Sequence, residues 1–143
     1  MIDPTLRRLY LDTRYRIAFG RQELTLKIGE VSPEVDDILG QWSVERAAIV
    51  TAWNPRSQWL PRDENLKRGS ALLTLVREMG LETLPVVASL DDPDWTEHGL
   101  FILGADEALA CELGRQFAQN AVVLVCRGEA PRLQEIVSPG GAS

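Results

Sequence analysis

The feature that most constrains the fold is an uninterrupted apolar run, Ala47 to Ala52, which is soon followed by Asn54-Pro55. A short apolar run without alternation is typical of a strand covered on both faces, so we predict a central strand over residues 46–53. Proline lacks an amide donor and biases the residue before it towards an extended backbone, so Pro55 should end the strand and hold Asn54 extended. Asn54 is then displayed at the end of a central strand, a position where many folds bind ligands.

The segment before this strand is predicted to contain two short helices and a hairpin. Asp3-Pro4 is typical of a helix start, and apolar residues follow it at helical spacing. Two runs of alternating apolar and polar residues, 14–19 and 23–28, flank a glycine-containing loop and predict a β-hairpin with one buried face. Ser32-Pro33 begins the second short helix.

From residue 46 onward the predicted elements follow the order β-α-β-β-α-β. The further helices are expected over residues 63–79 and 105–118, and the further strands over 84–90, 99–103 and 121–126. We therefore predict an α+β protein with a ferredoxin-like βαββαβ core, residues 46–126, and an N-terminal β-hairpin and short helix that extend the sheet. Strand 121–126 is apolar throughout, and covering its edge with that hairpin would pair its backbone groups.

Length and composition indicate one globular domain. The chain has 143 residues, of which 45% are hydrophobic and 25% charged. We predict a single domain over residues 1–137 and a flexible glycine- and serine-rich tail over 138–143. Cys111 and Cys126 are the two cysteines, and both fit as small core residues. Without a signal peptide or a membrane-spanning segment, they indicate reduced thiols and a cytoplasmic location.

The charge and the motifs exclude several classes of function. A net charge of −6 disfavours nonspecific binding to nucleic acids or to anionic membranes. There is no phosphate-binding glycine loop, zinc-ligand spacing or nucleotide fingerprint, so neither a cofactor nor a metal is predicted. The acidic loop 91–98 could hold a hard cation through Asp91, Asp92, Asp94 and Glu97, but such a loop is more usually a solvated turn.

The predicted topology collects polar residues at the end of the sheet where strand 46–53 exits. The start of helix 63–79, the loop 91–98 and the entry to strand 121–126 lie at the same end. The candidate ligand-binding residues there are Thr51, Asn54, Arg56, Ser57, Asn65, Glu97, Gln119 and Asn120. Amides, hydroxyls and a helix start suit a small polar or anionic ligand. The alternative is that the asparagines only cap turns and satisfy backbone groups.

Two enzymatic interpretations of this end stay open beside the binding module. Glu97 is a weak candidate for a general acid or base, since burial against Trp95 would raise its pKa. Ser57, His98 and Asp94 are the residue types of a hydrolase triad, but no G-x-S-x-G motif surrounds Ser57.

Two further interpretations involve surfaces rather than catalysis. Trp53, Trp59 and Trp95 could stack on a base or a sugar, although packing beneath loops is their more usual role. The edge of the N-terminal hairpin could instead serve a protein-interaction domain. Neither the ligand nor the oligomeric state follows from these patterns.

Four segments resemble the motifs of a known family. They are Thr51-Ala-Trp-Asn-Pro-Arg-Ser, Glu64-Asn65, Trp95-Thr-Glu97 and Phe117-Ala-Gln119-Asn120-Ala121. These segments are similar to those of a bacterial family catalogued as domain of unknown function 3293, and the resemblance extends from about Tyr10 to the last strand. It implies a small bacterial cytosolic protein without an assigned activity. The polar positions that match the family's pattern are Asn54, Asn65, Glu97, Gln119 and Asn120.

Overall fold

The computed structural model describes residues 2–91 and 95–136, which form an α+β fold of four α-helices and one seven-stranded antiparallel sheet. The helices are α1 (Pro4–Asp12), α2 (Pro33–Gln41), α3 (Arg62–Glu78) and α4 (Glu107–Gln116). The strands are β1 (Arg14–Phe19), β2 (Gln22–Leu26), β3 (Arg46–Thr51), β4 (Thr83–Leu90), β5 (Trp95–Leu103), β6 (Ala121–Cys126) and β7 (Arg132–Glu135). The predicted tail 138–143 lies outside the described residues, as do Asp92 and Asp94.

β3 lies inside the sheet, as predicted. The strand order is β2-β1-β4-β5-β3-β6-β7, and β3 pairs antiparallel with β5 on one side and β6 on the other. It ends at Thr51 rather than at residue 53. The reason is that the Trp53 amide donates to Thr51 Oγ1 (3.1 Å) and so leaves the ladder, while that hydroxyl donates to the carbonyl of His98 (2.6 Å).

The N-terminal hairpin extends the sheet, but at the edge opposite to the one predicted. β1 pairs with β4, and β6 is covered instead by β7. A neighbour that follows β6 after a short connection closes a small loop, which costs less conformational entropy than recruiting the distant hairpin. The sequence of β7, Arg-Leu-Gln-Glu, has too few apolar residues to be recognised as a strand.

The two faces of the sheet are buried by different helices. Side chains alternate along β3, so that Ala47 and Ile49 face α2 while Ala48 and Val50 face α3 and α4. α3 and α4 therefore pack on the same side of the sheet. On the face of the sheet that carries Ile49, α2 covers one region. α1 covers another region of the same face, beside Tyr15 and Glu97.

β5 begins four residues earlier than predicted, and this changes the position of Glu97. The run from Trp95 pairs in register with β4, with Glu97 opposite Ala88 and His98 opposite Val87. Glu97 therefore lies on a strand rather than in an acidic loop. This part of β5 carries polar residues on both faces, so its composition is that of a loop. Its pairing with β4 is what identifies it as a strand.

Both short N-terminal helices begin as predicted, with a side-chain cap followed by proline. Asp3 Oδ1 accepts from the Leu6 amide (2.8 Å), and Ser32 Oγ accepts from the Val35 amide (3.3 Å). Within residues 2–91 and 95–136, the longest helices are too short or too polar to cross a bilayer. Both cysteines are free thiols, and they are only partly buried rather than core residues.

Candidate functional site

The turn after β3 has an unusual backbone. Asn54 adopts the left-handed conformation (φ 47°, ψ 65°) instead of the extended one expected before Pro55. Asparagine tolerates this conformation better than most residues, and here the Asn54 amide is held by Asn65 Oδ1 at 2.8 Å. Tertiary hydrogen bonding has therefore overridden the local preference of a residue that precedes proline.

Three neighbours of Asn54 share its strained backbone. Asn54, Arg56, Ser57 and Ala118 account for four of the five non-glycine residues with positive φ in the described chain. The two segments are joined, since the Arg56 amide donates to the Ala118 carbonyl at 2.7 Å. Residues in such conformations cost about 1–3 kcal/mol each and cluster at functional sites. The concentration of strain marks this end of the sheet for closer inspection.

A buried hydrogen-bond network connects the turn with α3 and β5. Asn54 Oδ1 accepts from Asn65 Nδ2 (2.9 Å) and from the Leu60 amide (3.0 Å). Asn54 Nδ2 donates to Glu97 Oε2 at 3.0 Å. Asn54, Asn65 and Glu97 are 4%, 2% and 8% exposed, so these bonds are shielded from water. The network brings together residues from three separated parts of the sequence and fixes the orientation of the Glu97 carboxyl.

Glu97 is the ionisable group whose environment matters most. Burial raises the pKa of its carboxyl from 4.5 to about 7, while hydrogen bonds from Asn54 and Trp95 oppose the shift. The cause of the rise is loss of solvent, as the sequence analysis expected, whereas the hydrogen bond from Trp95 itself lowers the pKa. Burial also raises the pKa of Tyr10 to about 12 and that of Tyr15 in the same direction, with the Glu97 charge adding to both.

A cavity of about 220 Å³ lies between α1, the turn after β3, and the paired ends of β4 and β5. Its apolar walls are Leu6, Leu9, Trp59, Leu90 and Trp95. Its polar lining consists of Tyr10, Thr13, Asn54, Ser57 and Glu97. The Tyr10 hydroxyl interacts with Ser57, and Asn120 Nδ2 donates to Ser57 Oγ at 2.9 Å. The cavity thus combines apolar walls with one carboxyl, one amide and three hydroxyls.

The eight predicted site residues divide into two groups. Asn54, Ser57 and Glu97 line this cavity, and Asn65 and Asn120 hold them by hydrogen bonds. The other three serve different purposes. Gln119 Nε2 donates to the carbonyls of Trp53 (3.1 Å) and Phe117 (3.2 Å), and Thr51 bridges β3 to β5. The Arg56 side chain is exposed and does not line the cavity.

Within the described residues, the other chemical groupings considered from the sequence are not brought together; the triad and the cation site also involve Asp94 or Asp92, which lie outside those residues. His98 stacks on Trp53, with ring centroids 4.8 Å apart, on the face of the sheet opposite to Glu97, so it is not paired with Ser57. In the part of the chain that the structure describes, no three acidic, histidine or cysteine side chains lie close enough to hold a metal ion. Of the three tryptophans considered for stacking, Trp59 and Trp95 line the cavity and Trp53 packs under α3.

Two important residues escaped the sequence analysis. Tyr10 contributes the hydroxyl that faces Ser57, and the spacing of α1 reveals its apolar side without indicating what it covers. Arg68 projects from α3, where its Nε donates to the Ala52 carbonyl (2.6 Å) and its guanidinium also reaches the Phe117 carbonyl. It joins the end of β3 to the end of α4. An arginine on an amphipathic helix carries no signal of such a role.

Comparisons with known proteins gave one match. The model of a family described as "Protein of unknown function (DUF3293)" matches residues 50–122, which is slightly more than half of the chain. The matched part begins within β3 and ends within β6, so it includes the strained turn, the Asn54 network and Glu97. α1, which supplies Tyr10 and one wall of the cavity, lies before it. No curated protein and no solved structure matched the chain.

Proposed function

The chain belongs to the DUF3293 family, and we propose that it is a small-ligand-binding protein whose site is the cavity beneath α1. The observation that carries this proposal is Glu97, a carboxyl that is 8% exposed and lies in the wall of that cavity. Burying a carboxyl weakens the fold unless it is paired, and the described residues of the cavity lining include no cationic side chain to pair with Glu97. A buried, perturbed acid in a cleft is a recognised indicator of function.

The strained turn supports the same proposal. Asn54 and Ser57 both line the cavity from positive-φ positions, and backbone strain of this kind persists when it positions functional groups. The hydrogen bonds of Asn54 and Asn65 are used within the protein, so we assign these two residues to holding Glu97 rather than to touching ligand. Ser57, Glu97 and Tyr10 are the groups that we expect to contact it.

We also infer a ferredoxin-like core and a cytoplasmic location. The strands of residues 46–126 lie in the order β4-β5-β3-β6 with antiparallel pairing throughout, which supports the split βαββαβ arrangement. The inference about location rests on Cys111 and Cys126, which are both free thiols. Disulfides are common in oxidising compartments and rare in the cytoplasm.

The binding proposal is tested by a fragment screen followed by cavity filling. A ligand at a hundred times its dissociation constant should raise the free energy of unfolding by about 2.7 kcal/mol, which a thermal-shift measurement detects. Leu6→Trp inserts an indole into the cavity and should abolish the shift. Leu66→Trp, at a 43% exposed position on α3 outside the cavity, is the matched control and should keep it. Hits that bind equally well to both variants would refute the site.

A second candidate is an enzyme that uses Glu97 as general acid or base. The observation in its favour is that the pKa of Glu97, about 7, is matched to proton transfer near neutral pH. Glu97→Gln preserves the size and the hydrogen bond from Asn54 but cannot exchange a proton. If hits from the screen are converted by the wild type, this variant should bind them and not convert them. Equal conversion by both proteins would exclude Glu97 as the catalyst.

A further inference from the structure

We propose that the ligand of the α1 cavity is a small amine with an apolar body, for which Glu97 provides the counter-ion. This inference rests on the proposed function and names the chemical class that the site would take. It follows from the charge of the lining, from the unused capacity of the Glu97 carboxyl and from the composition of the walls.

The charge of the lining favours a cation. Among the described residues that line the cavity, Glu97 is the one acidic side chain, and none is lysine, arginine or histidine. An anionic ligand would place a second negative charge beside Glu97 in a poorly solvated site without compensation. Arg62, at the start of α3, lies over the Trp53 ring at 5.9 Å and is not among the lining residues. The charge of the lining therefore favours a cationic ligand over the anionic one that the sequence analysis considered.

Glu97 retains acceptor capacity for such a ligand. Asn54 Nδ2 donates to Oε2 and Trp95 also donates a hydrogen bond to the carboxyl, while none of the described residues forms a salt bridge with it. An ionised carboxylate has about four acceptor positions, whereas an ammonium group has three donors and no acceptor. Asn54 holds the carboxyl in place, so an incoming ammonium group would meet a pre-oriented counter-ion rather than a mobile side chain.

The side chains in the cavity walls indicate what kind of apolar body the amine should carry. Leu6, Leu9 and Leu90 provide aliphatic contacts, and Trp59 and Trp95 add aromatic surfaces. The indole face also attracts cations. A volume of about 220 Å³ lies below the roughly 300 Å³ at which drug-sized sites begin, so the ligand is small. An amine on an aromatic or branched aliphatic body matches both parts of the cavity.

Proton linkage gives the inference a distinctive signature. Glu97 must be ionised to pair with an ammonium group, so affinity for an amine should rise with pH between about 6 and 8. The other titratable groups that face Glu97 are Tyr10 from α1 and Tyr15 from β1, and burial keeps both phenols protonated over this range. In the described chain, the lining residues from β4 and from the 55–57 turn, Leu90 and Ser57, do not titrate there.

The experiment measures the dissociation constants of three probes by isothermal titration calorimetry. The probes are 2-phenylethylamine, 2-phenylethanol and phenylacetate, which share a ring and differ in charge. At pH 8 the wild type should bind the amine about tenfold more tightly than the alcohol, the scale of one charge-assisted hydrogen bond, and phenylacetate most weakly. Amine affinity should fall about tenfold from pH 8 to pH 6, with alcohol affinity unchanged.

Two variants separate this inference from the function on which it rests. Glu97→Gln should bind amine and alcohol equally and without pH dependence, whereas Glu78→Gln, an exposed change on α3, should behave as the wild type. If the wild type binds all three probes alike at pH 6 and pH 8, the cavity binds ligands but the amine class is wrong. If none of the three binds and the fragment screen is also empty, the binding function itself is overturned.

Discussion

α1 and α2 begin alike and end up in contrasting environments on the same face of the sheet. Each spans nine residues, starts with a side-chain cap and has proline in its first turn. α2 buries Val35, Ile38 and Leu39 against the sheet, whereas the residues of α1 are at most partly buried. The sheet beneath α2 presents apolar side chains, and the sheet beneath α1 presents Glu97.

This difference separates the parts of the molecule that stabilise it from the part that we propose to act. Beneath α2 the free energy comes from apolar burial, which is insensitive to pH. Beneath α1 it comes from the hydrogen bonds around Asn54 and from a carboxyl whose burial costs stability when it is charged. Elements with few buried contacts are those that open most readily, which suits a helix that covers a ligand site.

The largest expected effect is the loss of stability when an apolar side chain of α2 is shortened, compared with the same change in α1. Leu39→Ala should lower the free energy of unfolding by about 2–5 kcal/mol, because Leu39 is fully buried and leaves a cavity. Leu9→Ala in α1 should cost about 1 kcal/mol or less, since Leu9 is only partly buried. Urea denaturation followed by circular dichroism measures both. Similar losses in the two variants would mean that the helices are equally part of the core.

The second effect is a pH dependence that belongs to the α1 region. The pKa of Glu97 is raised from 4.5 to about 7 by folding, so the folded protein holds this proton more tightly than the unfolded chain. That contribution is complete below pH 4.5 and is lost as the pH rises through about 7. Each pH unit in this window should cost roughly 1.4 kcal/mol at most.

Glu97→Gln isolates this contribution. The difference in unfolding free energy between wild type and Glu97→Gln should change steadily from pH 5 to pH 7 in favour of the variant, and then level off. Glu78→Gln, on the exposed surface of α3, should follow the wild type throughout. Parallel curves for wild type and Glu97→Gln would show that the carboxyl titrates normally in the folded protein.

The third effect concerns the network that takes the place of apolar packing beneath α1. Asn54→Ala removes the side-chain partner of the Leu60 amide and of Glu97 and one hydrogen bond of Asn65 Nδ2, and it places alanine in a left-handed conformation. We expect a loss of about 1–3 kcal/mol in unfolding free energy. Asn120→Ala removes one hydrogen bond to the exposed Ser57 and should cost less. Chemical denaturation that finds Asn54→Ala neutral would show that the network does not stabilise the fold.

Much of the framework followed from local patterns in the sequence. The apolar run of β3, the caps at Asp3 and Ser32, and the period of α3 and α4 each have a local physical cause, and the elements formed where these patterns predicted them. The hairpin alternation correctly predicted β1 and β2. The edge on which they dock depends on β7, whose residues carry no local strand signal.

The candidate site was predictable in its residues and not in its chemistry. Topology correctly brought Asn54, Asn65 and Glu97 together, but Glu97 was placed in a loop because the start of β5 is polar. Burial then decides the pKa of Glu97, and burial depends on α1 covering it. Local sequence patterns do not predict which helix packs over which end of a sheet. The apolar walls, and with them the ligand class that we propose, could therefore not be predicted from the sequence.

The smallest effect separates the two helices by how they unfold. Ser32→Ala and Asp3→Ala each remove one cap, worth about 1 kcal/mol to its own helix. α2 is joined to the core, so Ser32→Ala should lower the global free energy of unfolding by that amount. α1 has no fully buried residue, so the loss in Asp3→Ala should appear as local opening, with global stability unchanged.

Hydrogen exchange by NMR distinguishes these outcomes. In Asp3→Ala the amides of α1 should exchange about fivefold faster, the factor that corresponds to about 1 kcal/mol, while amides of β3 keep their rates. In Ser32→Ala the slowest amides of β3 should accelerate, because they exchange only through global unfolding. If Asp3→Ala accelerates β3 as much as Ser32→Ala does, α1 unfolds together with the core. A cover over the cavity would then have to open by a route other than its own unfolding.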